Sequence, residues 1–233
     1  MAKKFTKRFY QNVTVEGEGR EWRVLLDGMQ LRTPGKLKLS LPSKALAEKL
    51  AGEWEAQSEQ INPSLMPVTR LINVAVEQTP ERRQDLIAEA RRYAETDLIC
   101  YRAPQPRILK ERQSEAWDAW REWGAAQGVD LQTTESLSAI AQAEASLSAI
   151  ETYAASLDDI QLTLFVHLIA VYGSVILAMA VMRSKLSGEA AFHLSRIDAV
   201  YQIELWGEDE EQAEITEALR TETQALSEIL EIL

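Results

Sequence analysis

The longest apolar stretch of the chain, residues 162–182, sets the strongest limit on its fold. A helix that is apolar on every side is either a membrane span or the centre of a helical domain. The stretch is long enough to cross a bilayer, but Thr163 and His167 interrupt it, and the chain has a mean hydropathy of -0.22. We therefore predict one buried helix, capped by Asp158 or Asp159. A single membrane span is the alternative.

The first forty residues show patterns that are typical of strands. Residues 8–15, 22–26 and 29–32 have strand-like composition. The dipeptide Asp27-Gly28 between the last two is a strong hairpin signal. Leucines alternate with polar residues over residues 37–41, which predicts a strand with one buried face.

The hydrophobic period then changes from strand-like to helical. Ser43 is a candidate N-cap, and Leu46, Leu50 and Trp54 follow it at helical spacing. Later segments also show helical periodicity. We therefore predict an α+β protein, with a small β-rich N-terminal domain that includes a helix over residues 1–78. A larger all-α C-terminal domain follows over residues 79–233.

One helical segment, residues 195–211, carries two neighbouring stripes of different character. The stripe with core-facing spacing consists of Leu194, Ile197, Tyr201 and Leu205. Along its margin, at steps of four, lie Asp198, Gln202 and Trp206. An acid, an amide and an indole do not build a core, so we predict that this margin is a contact surface. The acidic residues 208–211 are expected to begin the next helix, at the positive end of its dipole.

The charge of the chain excludes some classes of partner. Its formal net charge is -11, and its isoelectric point is about 4.8. Nucleic-acid binding requires a basic patch, and the only basic cluster is Lys3, Lys4, Lys7 and Arg8. We expect a neutral or basic protein partner. The single cysteine, Cys100, excludes an internal disulfide and fits a reducing compartment. No apolar stretch follows the basic N-terminus, so no secretory signal is predicted.

No motif predicts catalysis, a cofactor or a metal. Gly17-Glu18-Gly19 lacks the spacing of a phosphate-binding loop. His167 and His193 do not form a familiar ligand pair with Cys100. No nucleophile, base and oxyanion set can be assembled, so a binding protein is favoured over an enzyme. The abundance of Asp and Glu leaves one alternative, a carboxylate-based hydrolase or transferase of unknown substrate.

Six short motifs follow one another along nearly the whole chain. They are KRFY at 7–10, LDG at 26–28 with LRTP at 31–34, EWEAQ at 53–57, MPVTRL at 66–71, DLICYRA at 97–103, and Gln202 followed by WGEDE at 206–210. In this order they resemble the assembly chaperones that bind the α subunit of the F-type ATP synthase head. Two departures are Met29, where the family usually has Arg, and Ala199, which leaves Asp198 alone where the family often has an acidic pair.

This resemblance implies a fold, a function and a set of contact residues. Family members have a small N-terminal α+β domain and a helical C-terminal domain, are not enzymes, and hold free α subunit until the β subunit replaces them. The resemblance favours Asp198 and Trp54 as functional positions. The expected partner-binding set is Asp198, Gln202, Trp206, Trp54, Glu208 and Glu210. We expect a protein that is monomeric when free, does not insert into membranes, and acts in the bacterial cytoplasm, since the extension of mitochondrial members is absent.

Overall fold

The computed structural model describes residues 6–136 and 138–233, which form two compact units. The first unit comprises the residues up to Glu81 together with Glu228–Leu233, and the second comprises Arg82–Ser227. The domain boundary predicted from the sequence follows residue 78, and it assigns all residues from 79 to 233 to the helical domain. Among the described residues, no helix is long and apolar enough to span a membrane.

The strands all belong to the first unit. They are β1 (Thr6–Lys7), β2 (Val13–Glu18), β3 (Glu21–Leu26), β4 (Met29–Gln30) and β5 (Gln60–Ile61). The antiparallel order β2-β3-β4 forms one sheet, and β1 pairs with β5 in a second. The predicted hairpin is confirmed between β3 and β4. Asp27 and Gly28 have φ of 47° and 80°, the positive values that a tight two-residue turn requires.

Three predicted strands are shorter than expected, and one of them is β4, which ends at Gln30 and not at residue 32. Residues 8–12 are not in a strand, and at Gln11 and Asn12 the backbone N–H groups donate to the Asp27 carboxylate, at 3.1 Å and 2.8 Å, in place of a ladder. Residues 37–41 form only isolated bridges to Arg32 and Trp22. The predicted buried face is present in Leu39 and Leu41, each 1% exposed, but Leu37 is 48% exposed.

Two helices cover the core of the first unit, α1 (Lys44–Glu55) and α2 (Pro67–Glu77). Ser43 caps α1 as predicted, because its hydroxyl accepts the N–H of Leu46 at 3.1 Å. Leu46 and Leu50 are fully buried at the helical spacing that the sequence showed. Ser43 also donates to the carbonyl of Ile232, so the C-terminal residues of the first unit pack beside the start of α1.

The second unit is helical. Its elements, of which the first begins at the end of the first unit, are α3 (Thr79–Glu95), α4 (Arg107–Ala126), α5 (Glu144–Ser156), α6 (Asp159–Tyr172), α7 (Val175–Met182), α8 (Gly188–Leu194), α9 (Ile197–Trp206) and α10 (Glu210–Ser227). The architecture is thus α+β, as predicted, with a small β-rich part followed by helices.

Most of the apolar stretch 162–182 is buried as predicted, although Ala170 is exposed, and the stretch forms two helices and not one. Gly173 ends α6 with a left-handed φ of 65°, and Ser174 caps α7. The buried carboxylate of Asp97 accepts the N–H groups of Val175 and Ile176 at 2.7 Å and 3.3 Å. Four N–H groups at a helix start lack intrahelical partners, so this carboxylate makes a helix start inside the core possible. Of the two predicted caps, Asp158 and Asp159, it is Asp158 that caps α6.

The segment that contains the predicted contact surface is also divided. α8 ends at Leu194 and α9 begins at Ile197, whereas one continuous helix was predicted. The indole N–H of Trp117 on α4 donates to the carbonyl of Leu194 at 2.8 Å. That carbonyl would otherwise accept the N–H of Asp198 four residues later. A tertiary hydrogen bond therefore replaces a helical one at the break.

Candidate functional site: the exposed face of α9

The face of α9 that points to solvent is more apolar than the sequence pattern predicted. Tyr201 is buried, at 8% exposed, as predicted for the packing stripe. Leu205 was assigned to the same stripe, but this assignment is wrong, because Leu205 is 55% exposed. Val200 and Ile203 are 46% and 41% exposed and were not singled out. The break before α9 separates Leu194 from the rest of the predicted stripe, but it does not account for Leu205, which lies four residues after Tyr201 in the same helix.

Asp198 lies at the inner edge of this face and is half-buried. Its carboxylate accepts the side-chain N–H of Gln113 on α4 at 2.6 Å. The Gln113 side chain is buried, and its oxygen accepts the backbone N–H of Ala103 at 2.7 Å. Asp198 therefore ties α9 to α4, a structural role that the sequence did not reveal, in addition to presenting a negative charge near the surface.

Gln202 and Trp206 form a connected pair on the exposed face. The indole N–H of Trp206 donates to the side-chain oxygen of Gln202, four residues earlier, at 3.0 Å. Trp206 is 81% exposed, so its ring is held by a hydrogen bond and is not buried by packing. A large amphipathic ring that is oriented and solvent-exposed is the type of side chain that anchors protein interfaces.

Glu208 and Glu210 are exposed at the junction of α9 and α10. Gly207 ends α9 with φ 86°, and α10 begins at Glu210, as predicted for the acidic run. The carboxylate of Asp209 accepts the N–H of Gln212 at 2.9 Å, so one acid of the run caps the helix. Glu208 and Glu210 form no ion pair with any described residue.

Trp54 belongs to the first unit and is half-buried near the end of α1. Its ring lies 5.6 Å from the ring of Tyr10, centroid to centroid, and its carbonyl accepts the Tyr10 hydroxyl at 2.7 Å. Among the described residues, the buried indole nitrogen of Trp54 has no hydrogen-bond acceptor. Packing against Tyr10 accounts for the burial of the Trp54 ring, whereas its indole N–H makes no hydrogen bond with a described residue.

The two carboxyl groups whose pKa is raised both have structural partners. Burial raises the pKa of Asp97 to about 6, although the surrounding hydrogen bonds oppose the shift. Burial also raises the pKa of Glu53, whose oxygens accept the N–H groups of Val68 and Thr69 at the start of α2. The sequence analysis did not predict that Asp97 and Glu53 accept the N–H groups at these helix starts. Because each is committed to a helix start, neither supports the carboxylate-based hydrolase or transferase.

Cys100 is fully buried, and burial is the main cause that raises the pKa of its thiol. A raised thiol pKa disfavours the reactive thiolate, so Cys100 behaves as a small apolar core residue. No group of three or more His, Cys, Asp or Glu side chains in the described part of the chain is arranged to hold a metal ion.

The family model and the solved structures that resemble this chain are all described as Atp12 or as chaperones. The family model described as "ATP12 chaperone protein" matches residues 7–125, just over half of the chain. A crystal structure of Atp12 from Paracoccus denitrificans has a TM-score of 0.90 and 36% identity, and the similarity covers 97% of both chains. A candidate chaperone of Agrobacterium tumefaciens gives the same TM-score and identity, over 97% of this chain and 85% of that one.

A more distant relative comes from a eukaryote. The mitochondrial protein atp12 of Schizosaccharomyces pombe is 25% identical over 222 residues, which are 90% of this chain and 76% of that protein. The family model and the structural similarity agree with the resemblance carried by the six sequence motifs. The chain therefore belongs to the ATP12 chaperone family, whose members are ATP synthase assembly chaperones.

Proposed function

We propose that this chaperone binds the free α subunit of the F-type ATP synthase head, masks its subunit interface and hands it over to the β subunit. The observation that carries the proposal is the exposed pair Gln202 and Trp206 on α9, with the half-buried carboxylate of Asp198 on the same side of the helix. Glu208 and Glu210 extend this surface with negative charge, and Trp54 is a separate candidate contact residue on the first unit.

The proposed handover has a physical rationale. A subunit of a permanent ring exposes a large and mostly apolar interface when it is alone, and exposed patches of that size promote aggregation. The sequence lacks a phosphate-binding loop, so we propose that release does not depend on a nucleotide cycle of the chaperone but on competition by the β subunit. Competition requires moderate affinity, which fits one aromatic anchor among polar and acidic side chains.

The test is a binding measurement between the purified chaperone and purified α subunit, together with co-expression of both. We expect a complex, a higher yield of soluble α subunit, and loss of the complex when β subunit is added. Replacing Trp206 with Ala should weaken binding about tenfold or more, as expected for an interface anchor. The control is Leu65→Ala, because Leu65 is 68% exposed in the first unit and is not part of the proposed surface.

The result that would refute the proposal is the absence of any complex together with an unchanged yield of soluble α subunit. We propose that the chaperone acts as a monomer in the bacterial cytoplasm. Similar structures come from two bacteria, and the net charge of -11 disfavours self-association. Fractionation of the native host and light scattering of the purified chain test these two points.

A further inference from the structure

A cleft between α9 and α10 adjoins the proposed contact surface and shares Gln202, Trp206 and Glu208 with it. Its volume is about 310 Å³, and residues from both helices line it. Trp206 forms part of the wall. Three further lining residues, which no motif of the sequence singled out, are Ile203, Ala213 and Thr216.

The side chains around this cleft favour an apolar occupant. Trp206 is 81% exposed and Ile203 is 41% exposed, so a large area of apolar surface faces water at this point. The indole N–H of Trp206 is already bonded to Gln202, which leaves the ring available for an apolar contact. Clustered exposed apolar surface with a polar rim is typical of protein interaction sites. A cleft of this size suits one bulky side chain.

The rim of the cleft is acidic. Glu208 and Asp209 line it, whereas Glu210, Glu211 and Glu214 do not line it but are exposed nearby on the first turns of α10. None of the four glutamates forms an ion pair with a residue in the described ranges. The carboxylate of Glu217, which also lines the cleft, is paired with Arg220 at 2.7 Å. The unpaired carboxylates favour an occupant that carries positive charge.

The same charge disfavours a second copy of the chain as the occupant. The formal net charge is -11, and like charges brought together at an interface oppose association. The apolar lining and the acidic rim of the cleft together favour one kind of occupant, an apolar side chain that is flanked by basic residues.

We propose that the α9–α10 cleft receives one bulky apolar side chain from a partner segment whose flanking Lys or Arg residues face the acidic rim. This inference rests on the proposed function, because it assigns the segment to the α subunit. It extends the contact surface to Ile203, Ala213 and Thr216. It also assigns Trp206 to the wall of a pocket, in contact with the entering side chain.

Matched variants of the full chain test the use of the cleft. Ile203→Ser removes a lining side chain, and Val74→Ser removes a similarly exposed aliphatic side chain on α2, outside the candidate site. Ala213→Trp fills the cleft, and Ile215→Ala is its control on α10. We expect Ile203→Ser and Ala213→Trp to weaken α-subunit binding about tenfold, which is about 1.4 kcal/mol. Both controls should stay within about twofold of the parent. Circular dichroism confirms that each variant is folded.

Synthetic peptides test the chemistry of the occupant. One 15-residue peptide carries a single Leu between Arg residues, a second has Glu in place of Arg, and a third has Ser in place of Leu. By calorimetry, only the first should bind the chaperone, and binding should weaken at high salt and in Ile203→Ser. Binding of the second peptide as strongly as the first would overturn the assigned chemistry.

The possible outcomes separate this inference from the proposed function. If α subunit binds Ile203→Ser and Ala213→Trp as tightly as the parent, the cleft assignment is wrong and the proposed function stands. If α subunit does not bind at all but the Arg-Leu peptide binds in the cleft, the proposed function is wrong and the chemistry of the cleft stands. If light scattering shows a dimer that Ile203→Ser dissociates, the occupant is a second copy and the inference is overturned.

Discussion

Replacing Asp198 separates its charge from its hydrogen bond. In the parent, the side-chain N–H of Gln113 donates to the Asp198 carboxylate at 2.6 Å. Asp198→Asn removes the negative charge but keeps an oxygen that can accept this N–H. Asp198→Lys removes both the charge and the acceptor. Because Gln113 is 1% exposed, the lysine variant leaves a buried donor without a partner.

The expected magnitudes follow from this geometry. A buried donor without a partner costs about 1–3 kcal/mol, so we expect Asp198→Lys to destabilise the chain by about 2 kcal/mol. For a chain of this size that lowers the melting temperature by roughly 4–8 °C. Asp198→Asn exchanges a charged acceptor for a neutral one, and we expect it to cost about 1 kcal/mol or less.

The assays are thermal unfolding and α-subunit binding of the same two variants, at a temperature where both are folded. If the charge contacts the partner, both variants bind at least about tenfold more weakly than the parent. Parent-like binding by Asp198→Asn would refute a role for the charge and assign Asp198 to positioning α9. Parent-like stability of Asp198→Lys would refute the importance of the Gln113 bond.

Three further predictions concern stability. Burial raises the pKa of Asp97 to about 6, above its value of about 3.9 in an unfolded chain. The native state therefore binds more protons between these two values, and its stability should increase as pH falls through 6. Asp97→Asn should remove this contribution from unfolding curves measured at about pH 4–7, and an unchanged pH dependence would contradict the assignment. Gly173→Ala should lower the free energy of unfolding by about 1 kcal/mol in denaturant unfolding, because φ is 65° there. Gly52→Ala should raise it by about 0.5–1 kcal/mol, because Gly52 lies inside α1 with open space where the methyl group would be added. Trp117→Phe removes the donor to the carbonyl of Leu194 and should destabilise by about 1–3 kcal/mol, and equal stability would show that water replaces the indole.

Local sequence signals predicted the elements that depend on neighbours along the chain. The Asp27-Gly28 hairpin, the Ser43 cap of α1 and the Asp158 cap of α6 are confirmed. Each involves residues within a few positions of one another, so the residue types alone specify the backbone hydrogen bonds. The burial of residues 162–182 was equally predictable, since an apolar surface on every side has few alternatives.

The candidate site was predicted in part. The sequence identified Trp206 as unsuited to a core, and the structure has it 81% exposed. Leu205 was assigned to packing and is exposed, while Ile203 was not assigned at all. The break between α8 and α9 separates Leu194 from the predicted stripe, but Tyr201 and Leu205 lie in one uninterrupted helix, so the break does not account for the exposure of Leu205. The signal for that break is the indole of Trp117, which is distant in sequence.

The sequence by itself determined the α+β class, the hairpin, the caps by Ser43 and Asp158, the largely buried apolar segment and the family. These features depend on local hydrogen bonds, on hydrophobic period and on ordered motifs. Only the tertiary structure supplied the distant partners at the two helix breaks, although Gly173 and Ser174 mark the first break locally. Asp97 supplies acceptors to the start of α7, and Trp117 supplies a donor to the end of α8. Buried backbone groups need partners, and a partner from a distant part of the chain cannot be read from the neighbouring residues.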